Sequence, residues 1–262
     1  MPISNENKIS GLVITYNEEQ NIEELVESLD FVDELIVVDS FSTDKTVEIL
    51  SKFPHIKVVQ NEFENYTKQR NFTLKLASNP WILFLDADER ITPELKEEIL
   101  ETVQKPEAKD AYYVYRKFMF NKGPLRFSGW QTDKNFRLFR KEKAHFKEDL
   151  LVHETLIVEG SIGVLKNKLI HYSYISYEDY RAKMVAYGKL KAKELHNKGK
   201  KPNLFHFYIK PIYKFMYAYF VRLGILDGEK GIIICYLNAL SVYVRYQELK
   251  RLNRVQESAI QS

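Results

Sequence analysis

The sequence predicts an α/β fold, a largely parallel sheet covered by helices and followed by a helical appendage, and three observations carry that reading. Short apolar runs alternate with helix-periodic segments through the first hundred or so residues, the pattern of a parallel, right-handed α/β sheet. The run Trp81-Ile82-Leu83-Phe84-Leu85 is unbroken, as in a strand buried on both faces. Composition then changes: residues 1–180 hold 23 Lys/Arg against 31 Asp/Glu, whereas residues 181–262 hold 16 against 5. With 262 residues, 45% of them hydrophobic, the chain is long enough for one domain with its own core plus an appendage.

Taken in order, residues 9–16 form a first strand, and Asn17-Glu18-Glu19 opens a helix whose apolar positions Ile22, Leu25, Val26 and Leu29 follow the i, i+3, i+4, i+7 rule. Residues 34–39 are a second buried strand ending in Asp39. Ser42-Thr43-Asp44 then supplies capping oxygens before Val47, Ile49 and Leu50. A third short strand falls at 56–59, and a helix over 66–77 leads into the strand at Trp81. Thr92 and Pro93 start a helix that turns Leu95, Ile99, Leu100 and Val103 inward. Residues 111–118 and 135–140 read as strands, joined by a loop holding Gly123-Pro124 and Gly129-Trp130. From Ser176 a lysine-rich helix runs through Met184, Tyr187 and Leu190 to the break at Gly199-Lys200-Lys201-Pro202.

Ligands of open α/β sheets sit outside the carboxyl ends of the strands. Three such ends converge here: Tyr16-Asn17-Glu18, Asp39, and Asp86-Ala87-Asp88. Asp86 and Asp88 flank a small alanine and form a hard-oxygen locus suited to Mg²⁺ or Mn²⁺ carrying a diphosphate. On spacing alone the same residues read equally as a solvated acidic turn. The one cysteine, Cys235, excludes an internal disulfide framework and a multi-cysteine zinc site. Met1-Pro2-Ile3-Ser4-Asn5 lacks the basic and apolar regions of a signal peptide, so a cytoplasmic location is expected.

Ile14-Thr15-Tyr16-Asn17-Glu18-Glu19, Val37-Val38-Asp39-Ser40-Phe41-Ser42-Thr43-Asp44, Gln69-Arg70-Asn71 and Leu85-Asp86-Ala87-Asp88-Glu89 resemble the ordered motifs of the family 2 glycosyltransferases. That resemblance implies the GT-A fold, a Rossmann-like mixed sheet that binds nucleotide-diphospho-sugars. Arg137-Leu138-Phe139, Val152-His153-Glu154 and His171-Tyr172-Ser173 resemble more narrowly the bacterial branch that builds lipopolysaccharide core, β-1,4-glucosyltransferase-like enzymes among them.

The resemblance implies a division of roles. Tyr16 and Asp39 match positions that hold the uracil of a nucleotide-sugar, Arg70 matches a residue beside the nucleotide, and Asn17 and Glu18 belong to the same nucleotide-sugar motif. Asp88 matches a metal ligand, and Asp86 a contact to the ribose or to the metal through water. Glu154 is the candidate catalytic base, with Asp149 and Glu148 in reserve. His171 resembles a histidine near the metal or diphosphate, and Trp130 is a candidate acceptor-stacking ring or, equally, a core tryptophan. One departure is Ser40, where many relatives carry a second aspartate. The expected domains are a catalytic domain over 1–175, with a nucleotide-sugar half at 9–104 and an acceptor half at 105–175, and a basic, aromatic region over 176–262.

Between Phe205 and Tyr246 eleven Phe/Tyr residues interleave with Lys210, Lys214, Arg222 and Arg245. Basic aromatic helices of this kind lie in the interface of anionic membranes, or pack on the domain or on a second subunit. The expectation is a divalent-metal-dependent (Mn or Mg) inverting glycosyltransferase. Its partners would be a nucleotide-sugar donor, carried on UDP, and a glycan or lipid-linked acceptor. It would be peripheral at the inner face of the plasma membrane, with a homo-oligomer as a further possibility and nucleic acid not expected as a partner. Two other classes stay open on the residues alone. A nucleotidyltransferase would need a glycine-rich loop after the first strand, where Tyr16-Asn17-Glu18-Glu19 has none. A non-catalytic binding module would leave Asp39, Asp86 and Asp88 unexplained.

Overall fold

The computed structural model describes residues 5–120, 123–147, 156–174 and 176–261. The chain opens with β1 (Ile9–Thr15), α1 (Ile22–Ser28), β2 (Glu34–Asp39), α2 (Thr46–Leu50), β3 (Lys57–Gln60), α3 (Tyr66–Leu76) and β4 (Trp81–Asp86). It continues with β5 (Glu89–Arg90), α4 (Pro93–Val103), β6 (Ala111–Phe120), β7 (Gly123–Leu125), β8 (Lys134–Arg140), β9 (Ala144–Phe146), β10 (Leu156–Val158) and β11 (Ile162–Tyr174). The helices α5 (Tyr177–Asn197), α6 (Leu204–Phe207), α7 (Ile209–Met216) and α8 (Gly228–Gln261) complete it. Two compact units result, one of residues 1–117 with 133–171 and the other of residues 118–132 with 172–262.

In the first unit β3, β2, β1 and β4 run parallel and in that order. Alternate residues of these strands feed two cores. Val13, Val37, Leu83 and Leu85 enter one with Leu25 of α1 and Leu95 and Ile99 of α4. Leu12, Ile36, Val38, Ile82 and Phe84 enter the other with Leu74 of α3 and Phe146. Covering both faces is why the strands carry no polar alternation, and each large side chain so buried contributes about 1.5–3 kcal/mol. Antiparallel β8 then pairs with β4 and with β6, which makes the sheet mixed. The order across the sheet is β3-β2-β1-β4-β8-β6-β11-β5. Helix α4 begins where the sequence predicts, with Thr92 accepting from the Leu95 amide and Pro93 in the first turn.

Three elements of this unit escape a reading by periodicity. β9 and β10 form an antiparallel pair of three-residue strands. β5 is two residues long and pairs antiparallel with β11, matching Arg90 to Ile170 and Glu89 to His171.

The second unit is built on α5 against α8. Gly188 makes their approach possible, because a Cβ there would meet the Ser241 carbonyl oxygen at 2.7 Å. Ser176 caps α5 by accepting from the Asp179 amide. Phe118, Phe120 and Leu125 pack with Tyr180, Ile234 and Leu237, which groups residues 118–132 with these helices. Asp227 holds the same segment by accepting from the Arg126 and Phe127 amides and the Ser128 hydroxyl. Among the described residues no helix is long and apolar enough to cross a membrane.

Candidate active site

The parallel register sets Asp39 beside Thr15 and Asp86 beside Ile14, so the ends of β2, β1 and β4 lie side by side. The loop after β1 is then tied to the loop after β2. Asn17 takes a left-handed conformation, φ 54°, which asparagine tolerates better than most residues. Its amide donates to Ser42 Oγ at 2.8 Å and its side-chain oxygen accepts from the Thr43 amide at 2.8 Å. The Glu18 amide donates to Thr46 Oγ1 at 2.8 Å. Tyr16, just before this clamp, is left 57% exposed with its ring free of the core.

Asp39 is buried and accepts from the Ser42 amide at 3.0 Å, from the Ser42 hydroxyl, and from Gln60 Nε2 at 3.3 Å. The departure at Ser40 has a local partner, since Ser40 Oγ accepts from Gln69 Nε2 at 3.0 Å.

Asp86 stands between two guanidinium groups. Arg70 Nη2 donates to one of its oxygens at 2.6 Å and Arg137 Nη2 to the other. Burial pushes this carboxyl upward, but the Arg137 and Arg70 charges outweigh it and hold Asp86 well below the usual carboxylate range. Arg70 is itself buried, over the rings of Phe84 and Phe146 at 4.9 and 5.6 Å. The network extends inward to Glu89, which is fully buried, receives Arg137 at 2.7 Å and the Asp86 amide at 3.1 Å, and has Arg116 at 3.5 Å. Arg116 in turn grips Asp133 with two bonds of 2.8 and 2.9 Å. Burial alone would lower the Arg137 pKa, yet Asp86 and Glu89 raise it. The sequence motifs include Glu89 and Arg137 but assign no site role to them, nor to Arg116 and Asp133. The available signal was an arginine inside the apolar strand Phe136-Arg137-Leu138-Phe139, which requires a buried counter-charge.

Asp88 faces a different partner. The pairing of β5 with β11 brings His171 Nε2 to 3.2 Å from Asp88 Oδ2. Glu18 lies within the field of Asp88: burial raises its carboxyl, the Asn21 hydrogen bond opposes that, and the Asp88 charge raises it further. Among the described residues no three His, Cys, Asp or Glu side chains come together closely enough to hold a metal ion. Glu154, with Glu148 and Asp149, lies outside the described residues. Trp130 belongs to the second unit, where its ring stacks on Phe118 at 3.9 Å. Cys235 has no part in this chemistry, because burial pushes its thiol up to about 11.

A mixed sheet thus gathers acids, an exposed tyrosine and buried arginines about the ends of its parallel strands, and the chain belongs to the family 2 glycosyltransferases. The model of that family, Glycosyl transferase family 2, matches residues 10–155. A protein of Rickettsia bellii named as an uncharacterized glycosyltransferase is 32% identical over 260 residues, covering 94% of this chain and 87% of its own. LpsC of Rhizobium meliloti, a lipopolysaccharide core biosynthesis glycosyltransferase, is 26% identical over 258 residues, covering 94% and 95%. Among solved structures, Staphylococcus aureus TarS 1–349 in complex with UDP aligns at a TM-score of 0.48 and 22% identity, over 95% of this chain and 92% of that one.

Proposed function

We propose that this glycosyltransferase moves a hexose, with inversion, from a UDP-linked donor to a bacterial cell-surface glycan, with lipopolysaccharide core as the preferred acceptor. The observation that carries the proposal is the juxtaposition of Asp88, in the turn after β4, with His171 of β11, close to an Asp86 whose charge is already met by two arginines. Tyr16 offers an exposed ring for a base, Asp39 a carboxylate acceptor, and Arg70 a cation beside the nucleotide. Asn17 and Glu18 shape the loop on which Tyr16 sits. LpsC, similar over nearly the whole chain, supports the acceptor class.

The donor set fits a hard divalent ion in part. Asp88 and His171 are the residues that would hold Mn²⁺ or Mg²⁺. Both Asp86 oxygens are engaged by arginines, so Asp86 contributes through that network or to the ribose. When bound, the ion offsets charge on the departing diphosphate. Glu154 takes the proton from the acceptor hydroxyl as that oxygen attacks the anomeric carbon and the bond to the diphosphate breaks. The reaction takes place at the cytoplasmic face of the membrane, where lipid-linked acceptors are made.

The test is turnover of UDP-glucose, UDP-galactose and UDP-N-acetylglucosamine with truncated lipopolysaccharide core, in Mn²⁺ or in EDTA. Acceptor-dependent UDP release that needs the metal is expected. Turnover of another nucleotide's sugar alone, or equal release in EDTA, would overturn the donor or the metal assignment respectively.

A further inference from the structure

The second unit carries a face that its own packing leaves bare. Apolar residues recur as adjacent pairs at every fourth position, 204–205, 208–209, 212–213, 216–217 and 220–221, through α6, α7 and the turn after them. That spacing keeps the pairs near one stripe of a helix. All ten are exposed, Leu204 by 75% and Tyr213 and Val221 by 65% each. The other side of the segment is the one packed on α8: Lys210 Nζ donates to Tyr246 Oη at 2.9 Å, the His206 ring lies 4.6 Å from that of Tyr246, and Ala218 is buried. The stripe therefore points away from the helices that support it. Contiguous apolar surface of this extent marks an interaction site.

The charges around it select the partner. Lys200, Lys201 and Lys214 are exposed along the same segment. Beside α6 opens a groove of about 540 Å³, walled by Leu204, Phe207 and Tyr208 and rimmed by Lys250, Arg251 and Arg254 of α8. Arg251 is paired with Glu248 at 2.7 Å and Lys250 Nζ lies 5.6 Å from the Phe207 ring, while Lys250 and Arg254 both stand on the exposed side of α8. A second copy docked face to face about a two-fold axis would set these cations against their own equivalents. An anionic lipid surface offsets them and receives the apolar stripe at the same time.

We propose that residues 204–221 lie in the plane of a bilayer containing anionic phospholipid, with the stripe among the upper acyl chains and Lys250 and Arg254 on lipid phosphate. The proposal deepens the functional reading by naming the partner surface, and rests on that reading only for its purpose. The test is co-sedimentation of the full chain with vesicles of phosphatidylcholine alone and of phosphatidylcholine mixed with phosphatidylglycerol. Partitioning onto the mixed vesicles is expected to be at least ~10-fold stronger. Two variants, I212D/Y213D on the stripe and K214E/R254E on the cations, are each expected to weaken it by at least ~10-fold. Both pairs are surface residues, and unchanged thermal unfolding checks that the fold is intact. Equal binding to both vesicle types, or unaltered binding by both variants, would overturn the proposal. So would a dimer in solution that I212D/Y213D dissociates while vesicle binding is absent, since the face would then belong to a second copy. The readout uses neither donor nor acceptor, so a failure of sugar transfer leaves it standing, and a failure here leaves the active-site reading standing.

Discussion

Arg137 and Asp86 are joined across the junction of the parallel and antiparallel parts of the sheet: the guanidinium on β8 donates to the carboxylate that ends β4, and the same Nη2 reaches buried Glu89 at 2.7 Å. One side chain from the second half of the unit thus compensates two acids from the first.

Removing that cation should destabilise the first unit more than it alters any surface. Arg137→Ala leaves Glu89 without its closest cation in a site closed to water, an arrangement that costs about 3–5 kcal/mol when one partner of a buried pair is deleted. A urea unfolding curve with a lowered midpoint and unchanged slope is expected. Adding Glu89→Gln should recover part of the loss, and a midpoint equal to that of the native chain would show that the network carries no stability.

Tyr16 is exposed and supports no core, so Tyr16→Ala should leave the unfolding curve unchanged while weakening UDP. Loss of one base–aromatic stack is worth about 1–3 kcal/mol. A UDP dissociation constant within twofold of the native value would place the base elsewhere.

Glu34 makes one part of the stability depend on pH. Its carboxylate accepts from Ser10 Oγ, from the Ser78 amide at 2.9 Å and from Ser78 Oγ at 3.0 Å, tying β1 and the turn before β4 to the start of β2. Burial raises this carboxyl, but the serine hydrogen bonds outweigh it and the net shift is downward. A depressed folded pKa means that the contribution is present above the unfolded value and is lost as pH falls through the folded one. Glu34→Gln should therefore cost about 1 kcal/mol at neutral pH, with the difference from the native chain shrinking below roughly pH 4. A pH-independent difference would argue that packing, not ionisation, is at work.

Much of this architecture is legible because the strands that hold the site are buried on both faces. β2 falls on the residues that the unbroken run Glu34 to Asp39 marks, and α4 starts at the Thr92-Pro93 signature. The β9–β10 pair is too short to show a period, and Lys166-Asn167-Lys168 interrupts the apolar pattern of β11. Glu89 reads as one more solvated acid after Asp86 and Asp88. Only partners 27 and 48 residues further on, Arg116 and Arg137, make it a buried centre. Residues 118–132 likewise join the second unit through Phe118 and Phe120, whose packing partners lie in α5 and α8.

Glu154→Gln separates binding from transfer. If Glu154 takes the acceptor proton, this variant should bind UDP with native affinity and lose sugar transfer by about 10²–10⁴-fold, the range of general base catalysis. Transfer at the native rate would move the base to Glu148, Asp149 or another group.

The most direct test of the account is calorimetric titration of UDP into the native chain and into Asp88→Asn, each with and without Mn²⁺. GDP, CDP and ATP serve as competitors for the site. The account predicts UDP binding that depends on Mn²⁺ in the native chain and is weakened at least ~10-fold in the variant, with thermal unfolding unchanged. Mn²⁺-dependent binding of equal strength in both proteins would contradict the role given to Asp88, and tighter binding of ATP or CDP would contradict the donor.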